Sequence, residues 1–524
     1  MASTAMLEGY EIVMVPSFFA YQPFSRFYGV AQPRQMGDGG LTPLGERAPP
    51  ESLNPLNDVD GDGRLDRIVP TWLQVVIPVG LAGAQLIGLL TAPELSRKIG
   101  YQKSALIGVS MAFYFLILPL ASSFLHGRGQ ASNLRNGLLA AGDILLGLPW
   151  GLFQAIIMPY VSDITPLKLN GPATALQSIF WLIGQVFACS ALLAASKLGL
   201  PPSRITLADA RRDRWAFRAP MAIQYAWLVP VGLLLGLAPE SPYHLMRQGK
   251  DDEALATLRR LNRDPHYDAH ARLESLRLQN DHDRAHSSDV GMRACFKNGN
   301  GRRTEVAIVA CVTQQLVGVP LMCYAAKVLQ KSAVPQERSL LVTTVMYLLS
   351  VVGGFASLII LRTMGRRTAW MIGLSFEVFC LCAIGACGFF MDCATCNVLA
   401  LGWVVTGFIM SFAVAFHTAV SPITNAIVSE AATARLRGPT NSLARMTNTC
   451  MAMGNLGVTP KMLQEAPEGW GLGCKAAFIW AALSLGALVW AFLRLPETKD
   501  RTPAEIDVMF ERRIPARLWA TTVI

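Results

Sequence analysis

One short charged signature appears twice in this chain, each time between two long apolar segments. The first copy reads Arg97-Lys98-Ile99-Gly100-Tyr101-Gln102-Lys103 and the second Arg362-Thr363-Met364-Gly365-Arg366-Arg367-Thr368. A second duplicated signature follows an apolar segment each time: Pro239-Glu240-Ser241-Pro242 and Pro496-Glu497-Thr498-Lys499. The interval is nearly constant. Gly100 and Gly365 lie 265 residues apart, while Asp163 and Glu430, like Gly171 and Gly438, lie 267 apart. Loops repeated at one interval in an apolar chain imply two membrane halves built alike and run in parallel.

Lipid is the solvent that this composition suits. Of 524 residues, 52% are hydrophobic and 16% charged, against about 25% charged in ordinary soluble proteins. The net charge of +10 comes mostly from short loops beside apolar segments, which is topology information and no sign of a nucleic-acid face. A span needs about 20 apolar residues. Twelve candidates are centred near residues 13, 82, 114, 148, 184, 230, 315, 350, 379, 410, 450 and 485. The expected fold is therefore all-α, with two six-helix bundles over 1–242 and 304–495, a helical linker over 243–303 and a tail over 496–524. Asp251-Asp252-Glu253 to Arg259-Arg260-Leu261 gives the linker its helical period. Arg97, Lys98, Lys103, Lys168, the linker, Arg362, Arg366, Arg367, Arg435 and Arg437 share one side, which reads as cytoplasmic, with both termini there. The acidic loop over 30–70 falls opposite, and the basic stretch Arg204 to Arg214 is the one exception. No cleavable signal peptide is expected, and the first span has barely room to cross, so it reads as truncated. Of the 11 Cys, only Cys393 and Cys396 form a close pair. Unpaired thiols are the leading reading there, a disulfide the alternative, and zinc lacks a second pair.

Motifs at the helix ends carry a resemblance. Glu8-Gly9-Tyr10-Glu11, Gly147-Leu148-Pro149-Trp150-Gly151-Leu152-Phe153-Gln154, Trp181-Leu182-Ile183-Gly184-Gln185 and Trp215-Ala216-Phe217-Arg218-Ala219-Pro220 fall in order in the first half. Cys295-Phe296-Lys297-Asn298 with Arg302-Arg303-Thr304-Glu305, and Pro496-Glu497-Thr498-Lys499-Asp500-Arg501-Thr502, follow in the second. Together they resemble the sugar porters of the major facilitator superfamily, in the fungal maltose (α-glucoside) permease branch, over nearly the whole chain. The resemblance implies twelve transmembrane helices and transport by alternating access. It also implies a small sugar and a proton as partners, and a fungal plasma membrane as location.

Three groups of residues could carry that chemistry. Glu8 and Glu11 lie within the first span, where a carboxylate is costly and is kept for a reason. The resemblance implies proton coupling at Glu11, with Glu8 beside it; the alternative for Glu8 is a side chain reaching to the interface. Gln185, Gln314 and Gln315 are amides inside apolar helices. An amide both donates and accepts, as sugar hydroxyls do, without the desolvation cost of a charge. The resemblance places these three on sugar, and Asn425, Asn455 and Tyr10 complete the candidate substrate set. The competing reading of a membrane Gln is a contact between helices. The third group is a gating network of helix-end charges: Arg97, Lys98, Asp163, Glu240, Arg366, Arg367, Glu430, Arg437 and Arg445. In the family such charges pair across the halves; here they could also serve topology alone.

The chain also departs from the family. Gly318-Val319-Pro320 replaces a seventh-helix Asn. Ser421-Pro422-Ile423-Thr424-Asn425 puts an amide where the sugar porters have an aromatic ring. Arg97 and Arg362 stand where many facilitators have Asp, and Asn170 where the family has Arg. Fewer opposite charges should weaken the latch and favour the inward-facing state. Asp143 and Glu377 also lie within spans, as does Lys327, read as an interfacial lysine or as a partner for a carboxylate. Asp58 to Asp66 resembles a calcium loop, but Val69 stands at the last ligand position, so a solvated acidic loop is expected. The reading is a monomeric, proton-coupled importer of an α-glucoside or related sugar, with no cofactor or metal and no enzymatic activity. A non-transporting sugar sensor and a polyol or organic-acid transporter are the alternatives.

Overall fold

Inside a bilayer each backbone N–H and C=O must be satisfied within the protein, and an apolar segment of this length does so by forming a helix. The computed structural model describes residues 2–19, 21–31, 67–125, 130–196, 207–262, 267–286, 292–297, 299–323, 336–391, 398–433, 436–463, 470–519 and 522. The first half contains α1 (Ala5–Phe19), α2 (Gln22–Tyr28), α3 (Thr71–Ile99), α4 (Tyr101–Ser122), α5 (Gln130–Leu145), α6 (Gly147–Ile164), α7 (Leu167–Ser196) and α8 (Leu207–Leu237). Short helices α9 (Pro242–Arg247), α10 (Asp251–Leu261) and α11 (Ala269–His286) form the linker. The second half contains α12 (Gly301–Leu316), α13 (Val319–Cys323), α14 (Gln336–Thr363), α15 (Arg366–Met391), α16 (Val398–Ala415), a π-helical turn (Phe416–Val420), α17 (Ser421–Ala431), α18 (Arg437–Leu463) and α19 (Ala477–Arg494), and α20 (Pro503–Glu511) ends it. Two residues on each side, Val30–Ala31 and Arg67–Ile68, pair as a short antiparallel ladder.

A helix occupies each of the twelve expected centres. Among the described residues, nine helical stretches are long and apolar enough to cross a membrane. The expected spans outside that set are α1, α12 and α18. These three carry Glu8 and Glu11, Gln314 and Gln315, and Arg445 with Asn455. α1 and α12 are short, at 15 and 16 residues, whereas α18 has 27 residues but is polar, packing on α12 in its own half and on α3 and α6 across the seam. The outward faces show the reverse pattern: Leu233, Leu237 and Ile359 are 67%, 69% and 66% exposed. Apolar exposure on this scale, over helices whose interiors carry the polar groups, is what a lipid-facing surface requires.

Small residues set the helix spacing. A methyl on Gly9 would collide with the Trp181 carbonyl, and one on Gly184 with the Met6 carbonyl, so α1 and α7 cross at backbone contact. Gly88 and Gly151 do the same for α3 against α6. Across the seam, α3, α6 and α7 meet α14, α17 and α18.

The duplicated signatures build the same device twice. Glu240 accepts from the backbone N–H groups of Tyr101 at 2.9 Å, Gln102 at 3.0 Å and Ser241 at 3.0 Å. Glu497 accepts from those of Arg366 at 2.8 Å, Arg367 at 3.2 Å and Lys499 at 3.1 Å. Each acid closes the open N–H groups at the start of a helix, α4 or α15, where the macrodipole favours a negative charge. The loop glycine makes room for it: a Cβ on Gly100 or Gly365 would strike Glu240 or Glu497. Gly100 also has φ of 95°, which side chains disfavour.

In the linker, Asp251, Asp252 and Glu253 open α10 and Arg259 and Arg260 close it, matching the helix dipole. Its Ala254 and Leu258 pack with Tyr243, Met246, Leu273 and Leu276.

Candidate functional site

Both acids of α1 are interior. Glu8 is 7% exposed and Glu11 2%, so Glu8 does not reach to an interface. Each carboxylate has an amide partner. Gln154 Nε2 of α6 donates to Glu8, and Gln224 Nε2 of α8 donates to Glu11, each at 2.5 Å. Glu11 and Gln224 also line a small pocket with Asp143, Met14, Phe18 and Leu139. Arg445 of α18, in the opposite half, acts electrostatically on Glu8. The arrangement buries two carboxyls, each with a neutral amide partner that can meet either protonation state.

Between these acids and the second half runs a seam of amides and hydroxyls. Gln314 Nε2 donates to the Ser421 carbonyl at 3.3 Å. Ser421 Oγ meets Ser178 Oγ of α7 at 3.1 Å, and Asn425 Nδ2 donates to that same Ser178 at 2.8 Å. Arg445 Nη2 donates to Asn425 Oδ1 at 2.5 Å. Gln315 Nε2 reaches Asn448 Oδ1 at 3.3 Å, while Asn448 Nδ2 donates to the Cys311 carbonyl at 2.6 Å. Asn455 Nδ2 donates to the Gln315 carbonyl at 2.8 Å, where α12 breaks before Gly318, whose φ is 94°. That carbonyl is one of the orphans of a helix end, so Asn455 serves as its cap. Gln185 is 2% exposed and its Oε1 has no protein partner among the described residues; the same holds for Gln177 Oε1 one face along α7. A buried amide oxygen of this kind is costly unless something hydrogen-bonds to it.

Tyr10 requires a correction. Its hydroxyl donates to the Pro220 carbonyl at 2.8 Å and the residue is 1% exposed. The Tyr10 hydroxyl thus ties α1 to α8 and does not face a ligand.

The charge network divides into three parts. Among the described residues one ion pair crosses the halves: Arg437 Nη1 to Asp163 Oδ1 at 3.2 Å, with Ser241 Oγ donating to the other Asp163 oxygen at 2.7 Å. The equivalent acid, Glu430, is bound inside its own half by Arg366 at 3.0 Å and by Thr498 Oγ1 at 2.5 Å. Asn170, at the position matching Arg437, takes a hydrogen bond from Ser162 instead. Arg367 donates to the Phe492 carbonyl at 2.8 Å. Arg97 and Lys98 are a second correction. They pair with Glu94 of their own helix at 2.7 and 3.2 Å on a half-exposed surface, so their charges decorate α3. Asn441 Nδ2 also crosses the seam, donating to the Gln154 and Ala155 carbonyls at 3.0 Å each.

Gln154, Gln224, Ser178, Asn441 and Asn448 belong to the site and had not been assigned a role from the sequence. Gln224, like Gln185, is an amide within an apolar helix and could have been found by that signal, whereas Asn448 lies in the polar α18. Glu377 is fully buried on α15 with neither carboxylate oxygen partnered among the described residues. Lys327, Cys393, Cys396, Arg435 and the acidic loop from Asp58 to Asp66 lie outside the described residues, as does the Lys168 side chain.

The family model described as "Sugar (and other) transporter" matches residues 1–510. A general alpha-glucoside permease of Saccharomyces cerevisiae is 26% identical over 530 residues, covering 100% of this chain and 76% of the relative. A maltose permease of the same yeast is 26% identical over 535 residues, with the same coverage of 100% and 76%. Among solved structures, the proton:xylose symporter XylE bound to 6-bromo-6-deoxy-D-glucose superposes with a TM-score of 0.72 at 16% identity, covering 97% of each chain. The Escherichia coli fucose:proton symporter FucP gives 0.53 at 11% identity, covering 94% of this chain and 97% of that one. The fold is that of the major facilitator superfamily. With its matched length, its apolar helices and its amide-lined seam, the chain belongs to the sugar (and other) transporter family.

Proposed function

We propose that this protein imports an α-glucoside, maltose or a close relative, together with a proton, across the plasma membrane. The observation that carries this reading is the seam itself. Two amide-partnered carboxyls on α1 stand beside a run of amides on α7, α12 and α18, in a chain whose full length matches named α-glucoside permeases. Sugar hydroxyls suit amides because each group can give and take a hydrogen bond, so orientation is fixed without a buried charge. Gln185, Gln314 and Gln315 would hold the sugar, with Asn425 at the same level and Asn455 shaping the break in α12. Glu11 would carry the proton, with Glu8 coupled to Arg445. The bundles 1–242 and 304–495 would rock about this seam in alternating access, joined by the linker 243–303, with tail and termini in the cytoplasm. The protein would work as a monomer.

The test is uptake of labelled maltose in yeast lacking its own hexose and maltose carriers, at pH 5 and 7, with and without an uncoupler. Uptake that falls with the uncoupler, and is lost in Gln314→Ala at equal surface expression, is the expected result. Surface expression without maltose uptake would overturn the reading and leave a sensor or a carrier of another solute.

A further inference from the structure

Asn425 joins the proton side of the seam to the sugar side, in the place where the sugar porters keep an aromatic ring. Its Oδ1 takes Arg445, and its Nδ2 holds Ser178 of the opposite half, which in turn meets Ser421, the residue whose carbonyl receives Gln314. Asn425, at 3% exposed, and all four of these partners are buried: Arg445 is 7% exposed, Ser178 4%, Ser421 8% and Gln314 7%. The guanidinium is under-satisfied, since its Nε has no partner among the described residues. Two acceptors therefore compete for it: the neutral Asn425 oxygen that it now touches, and the Glu8 carboxyl.

The surroundings narrow the competition. Arg445 lies one turn after Asn441, which donates to the carbonyl of Gln154, and Gln154 in turn holds Glu8, so the guanidinium stands on the face of α18 turned towards that carboxyl. Glu8 has Tyr10 and Glu11 on its own helix and Gln154 on α6, whose one acid, Asp163, lies nine residues further on; Asp143 of α5 shares the pocket of Glu11, and α2 brings Tyr28. Of the other helices against α1, α7 presents Gly184 and has Lys168 in its first turn as its one charged residue, and α8 presents Gln224, which is bound to Glu11. A hydrogen bond from a buried cation is much stronger to a carboxylate than to an amide. When Glu8 gives up its proton, the carboxylate should outbid the amide.

We propose that Asn425 is a positioning residue of the proton site: it competes with Glu8 for Arg445, and its release of Arg445 loosens its clasp on Ser178 of the other half. Proton loss at Glu8 is thereby converted into a change at the seam where the halves meet. The link to sugar movement rests on the transport reading above; the competition itself does not.

The protonated Glu8 carboxyl can be followed by its C=O band in infrared difference spectra of the purified full-length protein, assigned in each background by Glu8→Gln. This titration needs no sugar. In Asn425→Ala, Arg445 is left to Glu8, and the midpoint should move about one pH unit towards acid. In Asn425→Asp, the new carboxylate holds Arg445, and the midpoint should move about one unit towards alkali. A role limited to packing would not split the two variants in opposite directions. Midpoints that stay in place, or move the same way in either variant that folds, would overturn the proposal. Maltose uptake by the wild type reports separately on the transport reading, so the two can fail independently.

Discussion

The two halves share their frame and differ in where they keep their charges. Both place an acid on the first N–H groups of a helix, Glu240 on α4 and Glu497 on α15, with matching distances. Both place a second acid 267 residues apart, Asp163 and Glu430. There the likeness stops. Asp163 is held by Arg437 from the other half, whereas Glu430 is held by Arg366 from its own. The difference traces to single positions: Asn170 stands opposite Arg437 in the repeat, and Tyr101 opposite Arg366. Duplication preserved the backbone-bound acids, which any sequence at those helix starts needs. It left the side-chain partners free to diverge, so among the described residues one inter-half ion pair stands where the symmetry would allow two. Buried acids diverge as well. Glu8 and Glu11 in the first half each have a glutamine, while Glu377 in the second has no partner among the described residues.

The shared part should dominate stability. Glu240→Ala and Glu497→Ala each strip a carboxylate from three backbone donors, and each should cost about 2–4 kcal/mol. Thermal unfolding of the detergent-solubilised variants checks this, and a tolerated loss on one side would break the comparison. The latch should be one-sided. Asp163→Asn should weaken closure by about 2 kcal/mol, more than tenfold in the conformer ratio. Spin-label distances between the halves at the charged-loop face would show it. Glu430→Gln should lower the melting temperature and leave those distances in place, and Asn170→Arg should shorten their mean. Equal effects of Asp163→Asn and Glu430→Gln on the distances would mean that the halves latch symmetrically.

Smaller effects sharpen the contrast in buried acids. Glu377→Met should raise stability by about 1–2 kcal/mol, because the acid is desolvated with nothing to offset it. The same change at Glu11 should abolish coupling. The smallest effect concerns the tails of the two signatures. Ser241 caps α9 and donates to Asp163, whereas Thr502 forms a reciprocal cap with Glu505 on α20. Hydrogen bonds from the Thr502 backbone and side chain hold the Glu505 carboxyl below its usual range. A depressed carboxyl stabilises above its unfolded value and loses that contribution as pH falls through its folded value. Glu505→Gln should therefore speed amide exchange in α20 at neutral pH, with the difference vanishing in acid. Loss that persists in acid would mean that the cap does not depend on the charge.

Much of this was legible in the chain. The repeat interval and the apolar segments gave the positions of the helices, and the period from Asp251 to Leu261 gave α10, because burial in lipid and helical amphipathicity both leave a direct mark on composition. What escaped were partners set by packing. Gln224 finds Glu11 across 213 positions and Gln154 finds Glu8 across 146. Nothing local announces either pair. The Tyr10 hydroxyl goes to the Pro220 carbonyl, 210 positions away in another helix. Arg97 and Lys98 were readable: Glu94 lies three and four positions before them, the spacing at which helix neighbours pair.

The central claim is that sugar and proton cross together through Glu11. The most direct measurement uses the purified protein in liposomes with a pH-sensitive dye inside, and adds maltose outside without an imposed gradient. The account predicts luminal acidification on maltose addition in the wild type, and none in Glu11→Gln. Labelled maltose that equilibrates with no proton movement in the wild type would contradict it.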